Sequence, residues 1–159
     1  IEKALRCWSV TDDIEISLEA NPTSVEASRL AAYRDAGIGR LSLGVQSFNP
    51  DGLTALGREH GVDEAMDAIA IARDLFARMS FDLIYARPGQ SEARWHRELA
   101  RALDFGTGHL SLYQLTIEPQ TRFATDVRRA IFTPLDDERA ALLASKASST
   151  ETAPEASGR

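Results

Sequence analysis

A chain of 159 residues, 43% hydrophobic and 26% charged, can bury one substantial core and has the make-up of a single globular domain. Its formal net charge of -6, without any cluster of Lys and Arg, excludes the electrostatic footprint of a nucleic-acid or anionic-membrane partner. No apolar run approaches the ~18 residues of a membrane span, and IEKALRCWSV lacks a signal-peptide pattern, so the cytosol is the expected compartment.

The chain opens on Ile1 inside a helical phrase in which Cys7, beside Trp8, reads as a half-buried helix residue. As the single cysteine, it supplies neither an internal disulfide nor a metal site. IEISLEA (14–20) is short and apolar and predicts the first strand. Thr23 and Glu26 then have the spacing of a capping box. Leu30, Ala31 and Tyr33 form a helical stripe, and Gly37 is the stop. RLSLGVQS (40–47) predicts a second strand and VDEAMDAIAIARDLFAR (62–78) a second helix, with Val62, Ala65, Met66, Ile69, Leu75 and Phe76 on its apolar side. FDLIYA (81–86), a PGQ turn at 88–90, SEARWHRELARALDFG (91–106) and HLSLYQLT (109–116) continue as strand, turn, helix and strand. After LDDERAALLA comes SKASSTETAPEASGR, which has no Val, Ile, Leu or aromatic residue. Such a stretch cannot order itself by burial, so a domain over 1–142 and a disordered tail over 143–159 are expected.

Strands alternating with helices are βαβ units, whose crossovers force parallel pairing; the expected class is α/β. Alternation within the strands separates two faces. Ile16, Leu18 and Ala20, with Leu41, Leu43 and Val45, suit a helix layer; Ser17, Glu19 and Asn21, with Ser42, Gly44 and Gln46, are small or polar. A closed eight-stranded barrel fills its interior with Val, Ile and Leu, so the polar face fits an open or partial barrel around a polar ligand. The larger polar residues fall at the strands' C-terminal ends, where parallel α/β folds bind ligands.

Four side chains stand out there. Glu19 and Asp82 are carboxylates in apolar strand context, which need partners or raised pKa values. Each reads equally well as a ligand contact or as half of a structural pair with a nearby Arg. Gln46 divides in the same way between a ligand contact and a satisfied core amide. Arg58 of LGREH, by itself, reads as a surface arginine. Tyr113, Gln114 and Thr116 close the last strand. His60, His96 and His109 have no metal-ligand spacing and read as structural.

Together EISLEANPTS, RLSLGVQSFNPDGLTALGREH, FDLIYARPGQS and HLSLYQLTIEP strongly resemble the radical S-adenosylmethionine (SAM) proteins related to anaerobic coproporphyrinogen III oxidase. YQLTIEP and DLIYARPGQ are most similar to the haem-chaperone branch of that family. The resemblance covers about residues 1–140 and implies a partial parallel (β/α)6 barrel of the radical SAM type, of which this chain supplies strands three to six. It implies SAM as cofactor, with Glu19, Gln46, Arg58 and Asp82 at cofactor-contacting positions and Thr116 beside the adenosyl group. It also implies a [4Fe-4S] cluster in the intact family, on a Cys-x-x-x-Cys-x-x-Cys motif that this chain does not contain. In the chaperone branch the implied job is to bind haem and deliver it to a client protein. In the oxidase it is radical decarboxylation of porphyrinogen propionates to vinyl groups. Without the cluster cysteines, this chain alone is expected to be inactive.

Overall fold

The computed structural model describes residues 1–7 and 9–150, the last five by backbone alone. In chain order they form α1 (Glu2–Leu5), β1 (Ser17–Ala20), a 3-10 turn (Pro22–Ser24), α2 (Ala27–Asp35), β2 (Arg40–Gln46) and α3 (Pro50–Ala55). There follow α4 (Val62–Leu75), β3 (Arg78–Tyr85), α5 (Glu92–Leu103), β4 (Leu110–Gln114), α6 (Arg122–Arg128) and α7 (Asp137–Thr150). The four strands make one sheet in the order β1-β2-β3-β4. β1 and β2 pair in parallel, Ser17 opposite Arg40 and Ala20 opposite Leu43. β2 and β3 are also parallel, Arg40 opposite Arg78, until a register shift between Leu43 and Gln46. The class is α/β, as the alternation predicts. Among the described residues no helix is long and apolar enough to cross a membrane.

The chain divides into two compact units, Ile1–Leu83 with Thr107–Ser111, and Ile84–Gly106 with the chain from Leu112 onward. In the first unit Leu41, Leu43 and Val45 have no exposed surface, and α4 packs on β2 and α2 through its buried Ala65, Ala68, Ile69 and Ala72. Burying each such Leu contributes about 2 kcal/mol, so this face anchors β2. Phe48 meets Phe81 edge-on, with ring centroids 5.8 Å apart. Ser42 and Gly44, on the opposite face of β2, are only half-buried.

In the second unit the Ser91 hydroxyl caps α5 by accepting from the Arg94 amide at 3.4 Å. Trp95 is fully buried, its ring 5.6 Å from that of Tyr85. The Arg87 guanidinium donates to both oxygens of Glu98, with both side chains 5% exposed, and the Gln90 side chain donates to the same carboxylate at 3.4 Å.

Four local expectations are corrected. Thr23 and Glu26 do not make a capping box, because Pro22 fixes a 3-10 turn that takes Thr23 in; α2 starts after Glu26, with no side-chain cap. Gly37, at φ +101, does end α2. The second helix stops at Leu75 rather than 78, since the chain is extended from Phe76 to bring Arg78 opposite Arg40, where both guanidinium groups pair with Glu15. Cys7 is exposed, because α1 is a single turn that buries nothing; its thiol donates to the Lys3 carbonyl at 3.3 Å. Finally, α7 runs through 143–150, the first part of the expected tail. Leu143 is 2% exposed and its carbonyl accepts from the Trp95 indole at 3.0 Å, which ties the helix to α5. Trp8 and 151–159 lie outside the described residues.

Candidate functional site

The polar face of the first unit ends in a cleft of about 430 Å³ lined by Glu19, Asn21, Ser42, Gly44, Gln46, Arg58 and Asp82, among others. Each residue arrives there for a local reason. Glu19 and Asn21 follow the strand period at the C-terminal end of β1, and Pro22 turns the chain away. Gln46 closes β2 at φ +69, a conformation that side chains other than glycine rarely adopt. The chain then enters α3, where the Asn49 carboxamide accepts from the Gly52 amide at 3.1 Å and Pro50 occupies the first turn. The Arg58 amide donates to the Leu53 carbonyl at 2.9 Å as α3 ends, and Arg58 is thereby delivered to the cleft wall.

Gly44 has a steric task. A Cβ built on it would lie 3.0 Å from the Gln46 side-chain nitrogen and 3.4 Å from the Asn21 side-chain oxygen. The space it leaves forms part of the cleft.

Asp82 is half-buried in the middle of β3. Burial raises its pKa above the ordinary 3.8, against a hydrogen bond from Ser111; the charge of Glu19 raises it further, and Ser42 and His109 oppose. The Ser42 hydroxyl lies 3.5 Å from the carboxylate and accepts from Ser80 at 3.2 Å. Among the described residues neither Glu19 nor Arg58 has an ion-pair partner. Two carboxylates and a free guanidinium facing one cleft suit a ligand carrying both charges: a carboxylate for Arg58, and an ammonium or hydroxyls for Glu19 and Asp82.

A carboxyl with a raised folded pKa stabilises the fold in acid, and that contribution is lost as pH rises from 3.8 through the folded value, because the unfolded chain ionises first. Asp82→Asn is therefore expected to melt at a higher temperature than the parent at neutral pH, with the two converging well below pH 3.8. Thermal melts at both pH values check this. A lower midpoint for the variant at neutral pH contradicts it.

The structure thus brings Glu19, Gln46, Arg58 and Asp82 together. Thr116 belongs to the second unit and is exposed beyond β4, its hydroxyl donating to the Gln114 carbonyl at 3.4 Å. Tyr113 and Gln114 are exposed, as is His96, whereas His60 is 4% exposed. Ser111 and the space at Gly44 were missed in the sequence, since both depend on neighbouring strands. Among the described residues no three His, Cys, Asp or Glu side chains come together to hold a metal ion.

A family model described as the radical SAM superfamily matches residues 1–102. Over 144 residues the chain is 38% identical to the zebrafish (Danio rerio) radical S-adenosyl methionine domain-containing protein 1, mitochondrial, covering 90% of this chain and 32% of that protein. To the heme chaperone HemW of Escherichia coli it is 46% identical over 114 residues, 71% of this chain and 30% of the relative. The chain therefore spans about a third of the length of these relatives. Among solved structures, coproporphyrinogen III oxidase (HemN) from Escherichia coli superposes with a TM-score of 0.79 at 26% identity, covering 94% of this chain and 35% of that one. The Elp3 structure from the archaeon Methanocaldococcus infernus has the same TM-score of 0.79 at 23% identity, a likeness of fold alone.

Proposed function

Since the chain belongs to the radical SAM superfamily, we propose that it is the part of a haem chaperone that holds S-adenosylmethionine. The observation that carries this reading is the cleft in which Glu19, Asp82, Gln46 and Arg58 converge, with neither Glu19 nor Arg58 in an ion pair among the described residues. The donor set fits the cofactor. Arg58 would hold its carboxylate, Glu19 and Asp82 would accept from the ammonium or the ribose hydroxyls, and Gln46 offers both a donor and an acceptor. Gly44 leaves room for the ligand to approach the backbone. When bound, SAM supplies a sulfonium that one electron can cleave. What the residues present do is bind it, orient it and shield one side of it from water.

A [4Fe-4S] cluster does not fit these residues. It needs several thiolates, and the chain has one cysteine, the exposed Cys7.

For the whole protein, identities of 40–46% to four bacterial heme chaperones support haem binding and delivery to a client haem protein. The HemN likeness favours a second reading, oxidative decarboxylation of coproporphyrinogen III. The cytosolic location read from the sequence belongs with this proposal, since the matched relatives include mitochondrial proteins as well as bacterial ones. Titrating the whole protein with haemin and assaying it anaerobically with coproporphyrinogen III separates the two. Saturable haem binding without vinyl formation is expected; turnover to the divinyl product would overturn the chaperone reading.

A further inference from the structure

His60 is buried, and its function is not explained by packing alone. Its Nε2 lies 2.9 Å from the Val45 carbonyl oxygen. A carbonyl only accepts, so Nε2 carries the proton and donates. The same oxygen accepts from the Ser47 amide at 2.8 Å, across a single residue. That residue is Gln46, at φ +69, so the end of β2 is a tight three-residue turn of the strained hand. The register shift between Leu43 and Gln46 falls at the same place. Strained backbone of this kind persists only where its surroundings over-determine it, and His60 supplies the extra bond from outside the strand.

We infer that His60 is a positioning residue: by pinning the Val45 carbonyl it holds the strained turn that aims Gln46 into the cleft. The bond also ties the segment carrying Arg58, two residues before His60, to the strand end carrying Gln46, and so sets the spacing between the amide and the guanidinium. The inference rests on the reading of this cleft as the SAM site.

Two measurements on the full 159-residue chain test it. In the ligand-free state, His60→Leu should speed hydrogen exchange at the Ser47 amide by about tenfold or more while the Leu43 amide in the same strand stays protected, and His60→Gln, which keeps a side-chain donor, should restore it. Unchanged exchange at Ser47, or a uniform rise along β2, would overturn the positioning role. In SAM titrations, His60→Leu should weaken binding about tenfold in the parent but less than about twofold in a Gln46→Ala background, the signature of one residue acting through the other. Equal losses in both backgrounds would overturn it, since a role in general stability moves both alike. If the parent does not bind SAM, the reading of the cleft fails, and exchange at Ser47 still decides the role of His60.

Discussion

Truncating Glu98 to alanine is expected to cost the second unit about 3–5 kcal/mol, because it leaves the Arg87 guanidinium buried without its countercharge. The pair is 5% exposed on both sides, so bulk water solvates neither group in the parent fold. Gln90, which donates to the same carboxylate and accepts from the Arg87 amide at 3.2 Å, would lose one of its two anchors. With total stabilities of about 5–15 kcal/mol for an ordinary domain, a loss of that size removes a large fraction of the stability and should lower the denaturation midpoint markedly. Chemical denaturation followed by tryptophan fluorescence, to which the buried Trp95 contributes, reports the change. Replacing both partners together, Arg87→Met with Glu98→Leu, should recover most of the loss, because no charge is then left stranded. A loss below about 1 kcal/mol in Glu98→Ala would mean that the pair behaves like a surface ion pair.

The second large effect is at Gly44. Alanine there would place its Cβ 3.0 Å from the Gln46 side chain, the far end of a flexible group that can retreat by a few tenths of an ångström. Valine adds two more methyl groups to the same space, where the Asn21 side chain already lies 3.4 Å and the Ala20 carbonyl 3.8 Å from the Cβ position, so more than the Gln46 side chain has to move. Gly44→Val is therefore expected to reduce SAM affinity by about a hundredfold, equivalent to ~2.7 kcal/mol, and Gly44→Ala by about tenfold or less. Valine is a good strand residue, so the circular dichroism spectrum should stay that of the parent. Parent-like affinity in Gly44→Val would place the ligand elsewhere.

How much of this was legible in the sequence depends on the range of the interactions involved. The period of two in Leu41, Leu43 and Val45 gave β2, its buried face and, by elimination, the polar face with Ser42, Gly44 and Gln46. Glu19 and Asp82 could be placed because a carboxylate in a strand is costly and the βαβ order sets the strands side by side. Arg58 could not be placed by composition; it needed the resemblance of its motif, and the cleft lining then put it beside the others.

The failures are of two kinds. Thr23 and Glu26 carried a genuine local signal that lost to a stronger one, the fixed backbone of Pro22. At 76–78 the apolar residues fit a helix or a strand equally well, and pairing of Arg78 opposite Arg40 decided for extended chain. The Arg87–Glu98 pair and the Trp95–Leu143 hydrogen bond join residues 11 and 48 positions apart, with no periodicity to announce them. The tail boundary at 143 was misplaced for the same reason: composition says that a segment cannot bury much, but not that one leucine is already buried.

The proposed function requires this chain to bind S-adenosylmethionine at the C-terminal ends of its first three strands. Titrating the isotope-labelled chain with SAM while following backbone amide resonances tests it most directly. The expected result is saturable shifts at Ala20, Asn21, Gly44, Gln46 and Asp82, with the amides of Gly89–Ala93, around a separate cleft of about 530 Å³ in the second unit, unmoved. No saturable shifts, or shifts confined to Gly89–Ala93, would contradict this placement of the ligand.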